Sequence, residues 1–200
     1  MRKINQIIIH HSASSWGSVK SIREWHEVRG FDDIGYHFVI ENGHNGPWSG
    51  QMPARDGTVG YGRKSWVPGA HAEGNNKNSL GICLIGNGLF TASQIHTLKQ
   101  LIVKESARFN IPFDQVIGHY EIDPKKPLCP GIDMVEFRKE LAKEAYQKRC
   151  DQCDDYLRMF GAGSYCSAQR HPAALNSRRI NYDGYTAEPQ YSPAWCPLRK

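Results

Sequence analysis

A chain of 200 residues, 40% hydrophobic and 10% aromatic, is sized for one domain, or for one domain with a small appendage, and its apolar content excludes general disorder. No apolar run reaches the roughly eighteen residues that a membrane-spanning helix needs, so none is expected. The opening MRKINQIIIHHS turns polar too early for a secretory signal, so the expectation is a protein that stays where it is made or leaves by lysis or dedicated machinery. A net charge of +5 suits an anionic partner such as a wall polymer or a nucleic acid and selects neither.

Gln6–His10 is a short β-branched run and reads as a buried strand. Ser18 to Arg29 carries Ile22, Trp25 and Val28 and predicts an amphipathic helix closed by Gly30. Tyr36–Glu41 is a second strand. Residues 42–78 are rich in Gly, Asn and Pro without periodicity, and an irregular stretch of that length is usually functional. Leu80–Ile85 is another strand. Thr91-Ala-Ser-Gln94 forms a capping box for a helix with Ile95, Leu98 and Ile102 on one face, ended by Asn110-Ile-Pro112. Gln115–His119 is a last short strand, and Asp133 to Glu136 caps a helix running to about Tyr146. Interleaved strands and helices predict a mixed α/β domain over residues 1–144, its central sheet flanked by helices.

Residues 145–200 differ in character. They are poor in aliphatic side chains and hold four of the six cysteines: Cys150, Cys153, Cys166 and Cys196. So little apolar mass needs a staple to fold. Cys150 and Cys153 form a C-x₂-C pair, the usual first half of a structural zinc site, so a metal knuckle is expected, with His171 able to replace one cysteine and disulfides as the rival. The segment lacks the basic stripe of a nucleic-acid binder, so nucleic acid is not an expected partner.

Among nine histidines, His10 and His11 end one predicted strand and His119 ends another, and Cys129 follows His119 by ten residues. Strand ends converging on one sheet edge can gather side chains around an ion. Two imidazoles and a thiolate suit tetrahedral Zn²⁺, and three protein ligands leave a fourth position open, as catalytic sites do. A satisfied polar His and a buried Cys are the plain alternatives.

The motifs IIIHHSAS, REWHEVRGFDDIGYHFVI, GAHAEGNNKNSLGICLIGN and IGHYEIDPKKPLCPGID, in this order, resemble the zinc-dependent N-acetylmuramoyl-L-alanine amidases. The resemblance spans about residues 5–142 and is nearest to the amidase-type phage lysozymes, which share a fold with peptidoglycan recognition proteins. It implies a mixed β-sheet with helices around it. It also implies His10, His119 and Cys129 as zinc ligands, with His11 turned to the opposite strand face. Tyr36, in GYHF, is implied as a donor to the oxyanion that develops during hydrolysis. A lysine shares that role in the family two residues before the third ligand. Pro127 stands there in this chain, so Lys126 is the candidate and Lys125 the alternative. His71 matches a cleft-lining histidine and is expected to face substrate, whereas His26 and His37 read as packing residues. Some related amidases carry a catalytic Glu where this chain has Cys83. A thiol does not replace a carboxylate base at neutral pH without a strong pKa shift, so Cys83 reads as a small core residue.

The implied function is hydrolysis of the amide between N-acetylmuramic acid and L-alanine in peptidoglycan. A phage or prophage endolysin is expected, inserting into no membrane and acting as a monomer, held in the host cytoplasm until lysis. An effector delivered by a secretion system fits as well. The rival from another class is a peptidoglycan-binding module without activity, and the presence of the Cys129 thiol argues against it.

Overall fold

The fold is given by a computed structural model that describes residues 2–151, with side chains through residue 145. Among the described residues five strands form one sheet, in the order β3-β2-β4-β1-β5. They are β1 (Gln6–His11), β2 (Phe38–Asn42), β3 (Asp56–Tyr61), β4 (Ser79–Leu84) and β5 (Val116–Gly118). β1 pairs in parallel with both β4 and β5, β2 pairs in parallel with β4, and only β3 runs antiparallel, along β2. Ile7, Ile8 and Ile9 are all fully buried. That is the continuous hydrophobic run expected of a parallel strand covered on both faces.

Among the described residues the three α-helices are α1 (Val19–Val28), α2 (Ala92–Phe109) and α3 (Met134–Asp151). The Ser18 hydroxyl caps α1 by accepting from the Ser21 amide, and Gly30, at φ +86°, takes the chain out of the helix. Ile22, Ile34, Val39, Cys83 and Ile85 form a core cluster, with Val19, Trp25 and Tyr36 packed against it. Val28 departs from the expected apolar stripe and is exposed. Six residues after Ile22 is 240° around the helix, so His26, at 40°, takes the inward place instead. The Thr91–Gln94 capping box is present at α2. Buried Gln94 also donates its side-chain amide to the Ile40 and Ile85 carbonyls, tying the helix start to two strand ends. Asn110 closes α2 in the left-handed region.

β3 lies inside the stretch that reads as irregular. Its half-exposed residues, with Gly57 and Gly60, show no alternation, and its pairing with β2 shifts register between Ile40 and Asn42. β2 begins at Phe38, which leaves Tyr36 and His37 in the segment before it. Asp133 caps α3 by accepting from the Val135 and Glu136 amides, and the helix continues past the expected end at Tyr146. The expected boundary at residue 144 falls within α3. Cys150 is in the last turn of that helix, while Cys153, Cys166 and Cys196 lie outside the described residues.

Candidate metal centre

Because β1 and β5 are parallel neighbours, their carboxyl ends open on the same sheet edge, where α/β proteins place their sites. Ile9 pairs with Gly118, so the residues that follow them, His10 within β1 and His119 in the 3-10 turn just past β5, stand side by side with ring centroids 4.4 Å apart. Cys129 returns to this point on a loop fastened twice, by the Tyr120 amide to its carbonyl (2.8 Å) and by its own amide to the Lys126 carbonyl (3.1 Å). The Cys129 thiol accepts from the His11 amide at 3.4 Å and lies 4.0 Å from His10 Nδ1. One donor atom from each of His10, His119 and Cys129 lies within 4.8 Å of the others, and all three residues are buried.

Burial, more than the neighbouring rings, holds the His10 pKa well below its ordinary value, and burial lowers His119 as well. Both are therefore neutral near pH 7, with a lone pair to offer. Burial raises the Cys129 thiol, while the His11 amide and the Lys126 charge pull it down. Two donors on one tetrahedral zinc stand about 3–4 Å apart, given Zn–N near 2.0 Å and Zn–S near 2.3 Å. Two neutral imidazoles and a thiol at these separations fit that ion.

His11 is turned away from the cluster. Its Nδ1 accepts from the Ala13 amide at 2.9 Å. The half-buried Tyr36 has its ring 5.2 Å from that of His10 and packs against the core cluster that includes Cys83. Burial raises the Tyr36 pKa well above 10.0, so the phenol stays protonated and remains a donor. Burial likewise pushes Cys83 above its usual range, which excludes it as a base. Lys126 is exposed, and its charge lowers the pKa of His11, His119 and Cys129.

His71 occupies an unexpected place. Its Nδ1 is 3.0 Å from His10 Nε2, and its Nε2 is 3.4 Å from the Ser79 hydroxyl, so both ring nitrogens face protein groups. His26 accepts from the Gly35 amide, and His37 accepts from the Gly81 amide while contacting Arg2. Sequence reasoning missed Ser79 and also Asp123, whose carboxylate lies 3.8 Å from His119 Nε2.

The sheet, its helices and the buried donors at its carboxyl edge describe a hydrolase of known type. Residues 1–132 match the N-acetylmuramoyl-L-alanine amidase family, and the chain belongs to it. The endolysin of Escherichia phage T7 is 34% identical over 139 residues, covering 64% of this chain and 81% of the phage protein. The endolysin of Klebsiella phage KP32 is 31% identical over 144 residues, covering 66% and 84%. Among solved structures, the amidase LysC from Clostridium intestinale is similar at a TM-score of 0.58 and 28% identity, over 70% of this chain and 86% of that one. A mutant of Drosophila PGRP-LB in complex with tracheal cytotoxin is similar at a TM-score of 0.53 and 28% identity, over 66% and 77%. The chain is thus a peptidoglycan amidase, and the rival of a non-catalytic binding module is not favoured. Among the described residues no helix is long and apolar enough to cross a membrane.

Proposed function

We propose that this protein is a zinc-dependent endolysin that cleaves the amide between N-acetylmuramic acid and L-alanine, with His10, His119 and Cys129 as the metal ligands. The observation that carries the reading is the buried three-donor cluster, drawn from three separate segments onto one strand edge. When bound, Zn²⁺ supplies Lewis acidity toward water and toward the amide carbonyl.

The chain's own residues do the rest. Burial keeps His10 and His119 unprotonated, and the His11 amide is a ready donor to a Cys129 thiolate. The Tyr36 phenol and the Lys126 ammonium act as donors to the negative charge that grows on the amide oxygen. Tyr36 is held by packing against the core cluster, and a donor fixed in advance contributes more than one that must reorient. Hydrolysis adds water across the amide, leaving a carboxylate on the lactyl group and a free amine on alanine. The protein accumulates in the host cytoplasm and reaches the wall at lysis, working as a monomer. Mass spectrometry of purified peptidoglycan after digestion tests the bond assignment. Stem peptides with free alanine amines and intact glycan strands are expected; new sugar reducing ends would refute it.

A further inference from the structure

A chain of hydrogen bonds with a single direction ends on His10. The Asn75 carbonyl can only accept, so the Ser79 hydroxyl, 2.7 Å away, commits its proton there. Ser79 Oγ then offers only lone pairs to His71 Nε2 at 3.4 Å, which makes Nε2 the protonated nitrogen of His71. In a neutral imidazole the other nitrogen is bare, so His71 Nδ1 accepts from His10 Nε2 at 3.0 Å. His10 is left with its proton on Nε2 and its lone pair on Nδ1, the atom facing Cys129 at 4.0 Å.

The surroundings hold this relay in place. Ser79 is fully buried. Asn76 Oδ1 accepts from the amides of His71 and Ala72, at 2.8 and 3.0 Å, fixing the loop that carries the ring. Arg2 donates to the carbonyls of Asn76, Lys77 and Ser79. A Cβ at Gly69 would lie 2.4 Å from the His71 ring and one at Gly81 2.6 Å from it, so only glycine leaves the ring its seat.

We propose that His71 is a positioning residue, anchored by Ser79, that fixes His10 in the tautomer presenting Nδ1 to the metal. The proposal rests on the reading of His10 as a zinc ligand. It replaces a substrate-facing role for His71 with a supporting one, the kind of contact whose loss typically weakens metal affinity ~10–100-fold.

The test uses the full chain with ¹⁵N-labelled histidine, stripped of metal, and long-range ¹H–¹⁵N spectra that report which nitrogen of His10 carries the proton. Signals are assigned by their loss in His10→Gln. Wild type is expected to show His10 protonated on Nε2 alone, and His71→Phe to show a mixture. Ser79→Ala, which removes a single oxygen and keeps the fold, is expected to shift His10 in the same direction. Ser79→Thr, which keeps the hydroxyl, is expected to side with wild type. Zinc competition against a chelating dye, with His10→Gln marking zinc held elsewhere, should show ~10–100-fold weaker binding in His71→Phe. A His10 tautomer unchanged in both His71→Phe and Ser79→Ala overturns the proposal. A wild-type protein that takes up no zinc at this site would refute the proposed function instead, while the tautomer spectra would still decide the relay.

Discussion

Gly81→Ala perturbs the centre without touching a proposed ligand. The added methyl would stand 2.6 Å from Cγ and Cδ2 of His71 and 2.8 Å from its Nε2. Carbon contacts settle at about 3.5–4.0 Å, so one side must give by about 1 Å. The strand is the stiffer side: Gly81 is paired with Ile8, and its amide and carbonyl bond His37 Nδ1 and the His37 amide, each at 2.9 Å. The ring therefore moves, and a retreat of that size takes the 3.0 Å contact between His71 and His10 out of hydrogen-bond range. Overpacking of this kind costs about 1–3 kcal/mol. At about 2–4 °C per kcal/mol for a chain of this size, Tm should fall by about 2–12 °C. Zinc affinity should weaken ~10–100-fold. Calorimetry and chelator competition read the two effects. Gly46→Ala is the control, since a Cβ there meets nothing within 4 Å. Wild-type Tm and zinc affinity in Gly81→Ala would refute the confinement of His71.

Tyr36→Phe deletes one hydroxyl and should lower the hydrolysis rate by roughly 10²–10³ with zinc binding unchanged; a wild-type rate would reduce Tyr36 to packing. Lys126→Ala should slow hydrolysis more than Lys125→Ala, and the reverse order would move the role by one residue. Burial, the first cause in each case, depresses His26 and His37 from 6.5 to about 4. The unfolded chain thus takes up these protons first. Their stabilisation is fully present above pH 6.5 and is lost as pH falls toward 4, so Tm should drop between pH 7 and 4.5, and a flat Tm would contradict the assignment. The four cysteines at 150, 153, 166 and 196 are proposed to hold a second, structural zinc, so elemental analysis should find about two zinc ions per chain. One zinc, with no free thiols among those four, would leave disulfides.

What the sequence discloses and what it hides follow from range. The strand ends carrying His10, His11 and His119 were legible from local pattern, and the parallel pairing of β1 with β5 brings such ends together, but the choice of His10 over His11 rested on the motif resemblance. Cys129 was legible through its motif. β3 was not, because a half-exposed edge strand containing Gly57 and Gly60 owes its place to pairing with β2 rather than to periodicity. Val28 looked like part of an apolar stripe until its angle around α1 was counted. The partnership of His71 with His10 joins residues 61 positions apart, and no local signal encodes it. The three donors that the fold gathers were thus visible in advance, while the contacts of His10 with His71 and of His71 with Ser79 were not.

The central claim is that amide hydrolysis depends on a metal held by His10, His119 and Cys129. Its most direct test is zinc titration of the chelator-stripped full-length protein, following release of alanine amines from purified peptidoglycan. With two donors left, a site no longer holds zinc tightly. The account predicts that stripped wild type is inactive and recovers in proportion to zinc added. His10→Ala, His119→Ala and Cys129→Ala should stay inactive at every zinc level, while His11→Ala recovers much of the activity. Full hydrolysis by stripped wild type, or recovery of His10→Ala alongside failure of a folded His11→Ala, would contradict it.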